Sequence, residues 1–243
     1  RDPTAWSTDR LLLVRTLKPA VKLELVGSSR QRPVHRGTTY PAEFLIVRDK
    51  EFSGPIRLRM AAAQGRHRQG ITAPIVVVPK GAKRVLFGCF MPEWLETNRT
   101  TRMVIHAVVE QKDPTGRVRH LVHPAKGRVT MILEGALIKL DHAAPELTVR
   151  AGSSFEVPLV VVRSAKLPEP ATIALDVPEQ LRGLVKARPV DIGKAQRKAV
   201  LKIVTSSDPK LLGDWNLRIT VTALQDRRWP AVSETRVPVR FVP

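Results

Sequence analysis

A stretch of twelve residues occurs twice in this chain and constrains its architecture more than any other feature. The first copy, GTTYPAEFLIVR, begins at residue 37, and the second, GSSFEVPLVVVR, begins at residue 152. Each copy runs from a glycine through two hydroxyl residues and an aromatic ring into an apolar segment that ends in arginine. This pattern is typical of a turn that leads into a β-strand. A repeat at a step of 115 residues predicts two homologous structural units.

Further segments repeat in the same order, which extends the duplication to most of the chain. Residues 21–25, 85–86 and 103–109 match residues 137–141, 200–201 and 217–223, so the step stays within one residue of 115. We therefore predict a first unit over residues 18–134 and a second unit over residues 135–243. Residues 1–17 are predicted to be a terminal strand or linker that belongs to a preceding unit.

Short apolar segments with a period of two residues dominate both units, and this period is typical of half-buried strands. Most of the 20 prolines fall between these segments, where they interrupt strands and exclude long helices. Single helical turns are possible only at residues 92–96 and 209–213. The predicted strands are residues 21–25, 37–48, 56–60, 74–78, 85–90, 103–109 and 120–133, followed by 137–140, 155–162, 172–177, 185–192, 200–204, 217–224 and 237–241. About seven strands per unit predict an antiparallel β-sandwich.

Several motifs resemble those of bacterial immunoglobulin-like and fibronectin-III-like modules, which occur in tandem in large secreted or envelope proteins. The motifs are the strand ends Val47-Arg48 and Val162-Arg163, the segment FSGPIRL at residues 52–58 and the segment ITAPIVVVPKG at residues 71–81. The second unit departs from the pattern, since Pro168-Glu169-Pro170 stands where the first has Ser53-Gly54-Pro55. The resemblance covers residues 20–242 and implies an all-β chain of two tandem immunoglobulin-like antiparallel β-sandwiches.

No motif in the sequence indicates a catalytic or cofactor site. The single cysteine, Cys89, alternates in step with Val85 and Phe87, which predicts a small buried core residue. His120 and His123 have the one histidine spacing that suggests a metal site, but positions three apart on a strand point to opposite faces. We therefore predict that the chain is not an enzyme and that it binds no cofactor and no metal ion.

Each unit has one tryptophan shortly before its penultimate predicted strand. Trp94 and Trp215 are predicted to close the ends of the two sandwiches. The alternative is that they form platforms on which a carbohydrate ring stacks.

Positive charge is the one unusual property of the composition. The chain has 41 basic and 22 acidic residues, a formal net charge of +19, and residues 1–135 hold 24 of the basic residues but only 11 of the acidic ones. A field of this sign concentrates anions such as nucleic acids, anionic glycans and acidic lipid headgroups. The basic turns include Arg30, Arg32 and Arg36, and the candidate polyanion site consists of Arg66, His67, Arg68, Lys80, Lys83 and Arg84.

The low aromatic content limits this interpretation of the charge. Nucleic-acid-binding grooves combine basic residues with stacking aromatic rings, and only 5% of the residues here are aromatic. We therefore do not expect a nucleic acid partner. Ordinary surface charge without a dedicated partner remains the alternative to a polyanion site.

The expected function follows from the repeat and from the missing catalytic motifs. We expect a non-catalytic spacer or adhesion module of a larger extracytoplasmic bacterial protein, whether secreted, periplasmic or on the cell surface. Its expected partners are neighbouring domains of the same polypeptide and, further, an anionic glycan or an envelope polyanion. One alternative is a glycan- or polyanion-binding module that uses the basic loops of the first sandwich, and another is a pair of accessory domains of a larger secreted hydrolase. No apolar segment approaches the roughly 18–20 residues that a membrane span needs.

Overall fold

The computed structural model describes residues 17–28, 30–61, 70–96 and 99–243, without the side chains of residues 99–102. Within these ranges the regular structure consists of β-strands and two 3₁₀ turns, at Glu179–Leu181 and Pro209–Leu211. The first half contains β1 (Val21–Leu25), β2 (Arg32–His35), β3 (Thr39–Arg48), β4 (Ile56–Ala61), β5 (Val76–Val78), β6 (Arg84–Phe90), β7 (Arg99–Lys112), β8 (Val118–Pro124) and β9 (Val129–Glu134). The second half contains β10 (Ile138–His142), β11 (Leu147–Arg150), β12 (Ser154–Arg163), β13 (Ala171–Asp176), β14 (Val185–Ala187), β15 (Val190–Ile192), β16 (Lys198–Thr205), β17 (Gly213–Gln225) and β18 (Trp229–Val242).

The strands of each half form two sheets, and the strand orders of the two halves correspond except for β8 and β14, which have no counterpart. One sheet has the order β1-β3-β6 in the first half and β10-β12-β16-β14 in the second. The other sheet has the order β2-β9-β7-β4-β5, with β8 also paired to β7, and β11-β18-β17-β13-β15 in the second half. In the first half a sheet with β1, β3 and β6 faces a sheet with β9, β7 and β4, and the corresponding strands of the second half are β10, β12 and β16 and β18, β17 and β13. This is the immunoglobulin arrangement. The chain is therefore all-β, with two tandem immunoglobulin-like sandwiches, and the predicted fold class is confirmed.

Two short parallel pairs add to the antiparallel pairing. β2 pairs with β9 and β11 pairs with β18, and each of these pairs involves four residues. In both halves the chain leaves its first strand, crosses to the opposite sheet and runs beside the last strand. Strands of four residues have too little periodicity to be predicted from the sequence, and neither β2 nor β11 was among the predicted strands.

Two predicted strands are split in the structure. Residues 120–133 form β8 and β9, because the chain between them turns toward β1, where the Lys126 amide donates to the Leu23 carbonyl at 2.7 Å. Residues 185–192 form β14 and β15, which belong to different sheets. Pro189 lies between these two strands, and it has no amide hydrogen with which to continue a ladder.

Alternating burial places the apolar side chains in two separate clusters. β16 shows the pattern clearly, since Ala199, Leu201 and Ile203 are buried and the residues between them are exposed. The first cluster extends from Ala20 to Leu133 and the second from Leu137 to Phe241. Each cluster contains an edge-to-face aromatic pair, Phe44–Phe87 at 6.5 Å and Phe155–Phe241 at 6.2 Å between ring centroids.

The duplicated stretch has the same backbone role in both halves. Gly37 and Gly152 have φ angles of +74° and +79°, which residues other than glycine rarely adopt. The Gly37 amide donates to the Met91 carbonyl at 2.7 Å, and the Gly152 amide donates to the Ser206 carbonyl at 2.9 Å. In each half the glycine therefore lies just before a strand, β3 or β12, and connects it to the residues that follow β6 or β16.

A turn at residues 113–116 connects β7 to β8. The Gly116 amide donates to the Asp113 carbonyl at 2.9 Å, and the Asp113 carboxylate accepts from the amides of Thr115 and Arg117. Hydrogen bonds from the Thr115 hydroxyl, the Arg119 guanidinium and these amides lower the pKa of Asp113 to about 2.

No helix in the described ranges is long and apolar enough to cross a membrane.

Candidate functional site

The candidate polyanion site lies partly on the turn between β5 and β6. Lys80 and Lys83 are exposed there, and neither forms an ion pair with any acidic residue that the structure describes. Arg84 follows them at the start of β6 and donates to the Glu43 carboxylate at 2.8 Å, which offsets its charge. Arg66, His67 and Arg68 lie outside the described residues. The described part of the site therefore consists of two exposed lysines without a described acidic partner. It does not form a continuous basic surface.

Two arginines of another basic turn bind backbone carbonyls of the first sandwich. The Arg32 guanidinium donates to the Val26 and Gly27 carbonyls and lies 5.8 Å from the centroid of the Tyr40 ring. Arg36 donates from Nε to the Leu95 carbonyl at 2.7 Å and from its terminal nitrogen to the Glu134 carbonyl at 3.3 Å. These arginines donate hydrogen bonds to carbonyls at turns and strand ends, so part of the basic excess stabilises the fold.

The two sandwiches meet where the hairpin of β17 and β18 contacts the beginning of β3. The Val232 amide donates to the Gly37 carbonyl at 2.6 Å, and an antiparallel bridge pairs Thr38 with Ala231. The Thr39 hydroxyl donates to the Pro230 carbonyl at 3.1 Å. The contact between the sandwiches, which we call the joint, is therefore a short extension of β-sheet pairing from one sandwich to the other.

Two glycines of the first sandwich allow the β17–β18 hairpin of the second sandwich to approach closely at the joint. A Cβ atom on Gly37 would lie 2.4 Å from the Val232 carbonyl oxygen, and a Cβ atom on Gly88 would lie 2.7 Å from the Trp229 ring. The Arg228 guanidinium also lies over the Trp229 ring, 4.6 Å from its centroid. Any larger residue at either glycine would push the hairpin away from the first sandwich.

The short connection between the sandwiches is also held by hydrogen bonds. The Arg36 amide donates to the Glu134 carbonyl at 3.2 Å, and His35 Nδ1 lies 2.8 Å from the Gly135 carbonyl oxygen. His35 Nε2 lies 3.4 Å from the Glu134 carboxylate. The first sandwich therefore binds both the connection and the hairpin of the second sandwich.

The two tryptophans have different environments. Trp215 packs against the second core and donates from Nε1 to the Leu211 carbonyl at 2.8 Å, as expected for a residue that closes a sandwich. Trp94 is 54% exposed and faces a cleft beside the joint. The prediction that Trp94 closes its sandwich is wrong, because Met91 and Leu95 occupy the core positions on either side of it.

The cleft beside the joint consists of two adjoining cavities that share Trp94, Glu93 and Glu234. One cavity has a volume of about 430 Å³ and is lined in addition by Pro92, Pro230 and Arg218. The other has a volume of about 650 Å³ and is lined in addition by Arg36, Lys139 and Arg236. Both sandwiches therefore contribute side chains to one cleft, a position that ligands commonly occupy in proteins of several domains.

No catalytic grouping is evident among the cysteine and histidine side chains that the structure describes. Cys89 is fully buried, and this burial raises the pKa of its thiol to about 12, so the thiol stays protonated at neutral pH. The prediction of a buried core residue is confirmed. Desolvation lowers the pKa of His123, which is partly buried, whereas His120 on the same strand is exposed. Among the described residues no three His, Cys, Asp or Glu side chains group closely enough to hold a metal ion.

Comparison with known proteins yields similarity at the level of solved structures only. No protein-family model and no curated protein matches the chain. The I9-I11 tandem from titin is 11% identical over 92% of this chain and 66% of the titin chain, with a TM-score of 0.25. A marsupial T cell receptor is 9% identical over 92% of this chain and 74% of the receptor chain, with a TM-score of 0.28. The chain thus spans just under two thirds of the titin structure, and its assignment to the immunoglobulin-like fold rests on its own strand order.

Proposed function

We propose that the chain is a non-catalytic structural module that holds neighbouring domains of a larger extracytoplasmic bacterial protein at a fixed spacing and angle. In this proposal residues 18–134 and 135–243 are two immunoglobulin-like or fibronectin-III-like units, and residues 1–17 belong to a preceding unit. The observation that carries the proposal is the hydrogen bond from the Val232 amide to the Gly37 carbonyl. A spacer needs a joint that resists bending, and pairing of backbone with backbone across the joint supplies one.

Several contacts at the joint act against the mobility that is usual between linked domains. Domains within one chain move relative to each other unless a large, hydrophobic interface holds them. The bonds from the Val232 amide and the Thr39 hydroxyl each contribute about 0.5–1.5 kcal/mol. Trp229 adds apolar contact with the strand at Gly88, and the connection at Glu134 is fixed separately. Bending would break all of these contacts together.

Pulsed EPR on the unsubstituted joint tests the proposal. Spin labels on Lys22→Cys and Lys186→Cys occupy exposed positions, one in each sandwich, and the buried thiol of Cys89 does not compete for the label. We expect a single narrow distance distribution. A broad distribution, or two separate distances, would show that the joint is a hinge and would refute the spacer proposal.

A second candidate function is supported by the exposed lysines of the turn between β5 and β6. Lys80 and Lys83 have no described acidic partner, and they lie in the half of the chain that carries most of the excess positive charge. The partner proposed for this turn is an anionic glycan or another polyanion of the cell envelope. Binding of this kind releases counterions and weakens as salt concentration rises.

Heparin chromatography tests this second candidate. We expect the double substitution Lys80→Gln and Lys83→Gln to lower the NaCl concentration at which the protein elutes, because two ionic contacts are lost. The matched control is Lys194→Gln with Lys198→Gln, which removes two exposed charges near the equivalent turn of the second sandwich. Equal shifts for both double variants, or no shift for either, would mean that the turn is not a binding site.

A further inference from the structure

Trp94 is displayed by a turn that is itself firmly held. Its neighbours Met91 and Leu95 are 0% and 6% exposed, so both ends of the turn belong to the first core. The Leu95 amide donates to the Pro92 carbonyl, and the Leu95 carbonyl accepts from Arg36 Nε at 2.7 Å. An indole that is more than half exposed on such a turn does not contribute its full apolar area to the core. Exposed apolar surface of this kind in a cleft is typical of a binding site.

The orientation of the indole is restricted from one side. A Cβ atom on Gly70 would lie 2.2 Å from Trp94 Cη2 and 2.9 Å from Pro92 Cγ, so the edge of the ring packs directly on the glycine backbone. Pro92 is buried beneath the same turn. The ring therefore has little freedom to lose when a ligand binds, which favours affinity.

The charged residues around Trp94 leave an excess of positive charge. Four basic residues and two acidic residues line the two cavities: Arg36, Lys139, Arg218 and Arg236 against Glu93 and Glu234. Arg218 pairs with Asp176 and with Glu234, the latter at 3.3 Å. Arg236 has a side chain that is 67% exposed and reaches Glu234 only at 4.0 Å, and the exposed Lys139 forms no ion pair with the described acidic residues. Lys139 and Arg236 are therefore available to an anion in the cavity of about 650 Å³ that Trp94 also lines.

We propose that the cleft beside the joint binds an acidic saccharide, with one pyranose ring stacked on Trp94 and its carboxylate paired with Lys139 and Arg236. A single flat aromatic surface with charged residues around it matches a ring that has an apolar C–H face and a polar, anionic edge. Single-stranded nucleic acid fits less well, because it binds to successive aromatic rings along a groove. Among the aromatic side chains that the structure describes, Trp94 is the only exposed one.

The joint is essential to this site. Trp94 belongs to the first sandwich, whereas Lys139 and Arg236 belong to the second. The inference therefore rests on the rigid joint of the proposed spacer function and extends that function to ligand binding. It is independent of the lysines at positions 80 and 83, which line neither cavity.

Isothermal titration calorimetry with tetragalacturonate, which carries a carboxylate on every ring, tests the proposal. Neutral maltotetraose and a short oligo(dT) serve as comparison ligands. We expect tetragalacturonate to bind most tightly, Trp94→Ala to weaken its binding at least about ten-fold, and Trp94→Phe to retain most of the affinity. Lys139→Gln with Arg236→Gln should also weaken binding at least about ten-fold. The matched removal of two exposed charges that line neither cavity, Lys194→Gln with Lys198→Gln, should leave the affinity unchanged.

Several outcomes would overturn the inference. They are no binding of tetragalacturonate, tighter binding of maltotetraose or oligo(dT), an unchanged affinity for Trp94→Ala, and an equal loss in the two double variants. The EPR distances between residues 22 and 186 distinguish the reasons for a failure. A narrow distribution without binding refutes only the saccharide site, whereas a broad distribution refutes the joint on which the site depends.

Discussion

Replacement of Phe87 by alanine is expected to lower the free energy of unfolding of the first sandwich by about 3–5 kcal/mol. Phe87 is fully buried, and its ring contacts Phe44 edge-on, so the substitution removes apolar area and leaves a cavity in a well-packed core. The second sandwich should keep its stability, apart from the contribution of the joint, because its buried residues form a separate cluster. Hydrogen-exchange mass spectrometry in increasing urea measures the stability of peptides from each half independently.

The reciprocal substitution provides the control. Phe241 is 2% exposed and its ring lies 6.2 Å from that of Phe155, so Phe241→Ala should destabilise the second sandwich and spare the first. Together the two variants test the proposed boundary between residues 134 and 135. If either substitution destabilised peptides of both halves equally, the chain would be one cooperative unit and the boundary would be wrong.

Replacement of Gly37 by alanine is expected to open the joint. The new Cβ atom would lie 2.4 Å from the Val232 carbonyl oxygen, well inside the contact distance, and β18 would have to move away from β3. The bond from the Val232 amide to the Gly37 carbonyl would then be lost. We expect the EPR distance distribution between labels at positions 22 and 186 to change from narrow to broad.

Gly81→Ala is the matched control for the backbone cost of that substitution. Gly81 has a φ angle of +77°, close to the +74° of Gly37, but a Cβ atom there would have nothing within 4 Å. Both variants should therefore lose roughly 1–2 kcal/mol of stability through the left-handed conformation, and only Gly37→Ala should affect the joint. A broad distribution in both variants, or in neither, would contradict the assigned role of the Gly37 contact.

The sequence contains enough information to predict the sandwiches, because their strands alternate apolar and polar residues and the pattern occurs twice. The buried positions Leu201 and Ile203 in β16 and the paired glycines at 37 and 152 are examples. Strands of three or four residues, such as β14 and β11, are too short to show a period. Pro189 could have indicated the break between β14 and β15, since proline ends a ladder.

The joint and the cleft could not be predicted in the same way. The bond between Val232 and Gly37 joins backbone atoms, and backbone atoms leave no pattern of side-chain types. Gly88, in the middle of a predicted strand, was the one available indication that another part of the chain approaches there. Trp94 was predicted to close the end of its sandwich from its position in the unit, but its exposure depends on the burial of Met91 and Leu95 on either side of the turn.

The backbone character of the joint affects how freely this surface can vary. The pairing of Thr38 with Ala231 and the bond to the Gly37 carbonyl use atoms that nearly every amino acid possesses. Substitutions at many neighbouring positions would therefore preserve the angle between the sandwiches, provided that residues 37 and 88 stay small. Proteins whose sequences have diverged widely from this one can accordingly share its geometry without sharing the side chains that surround the contact.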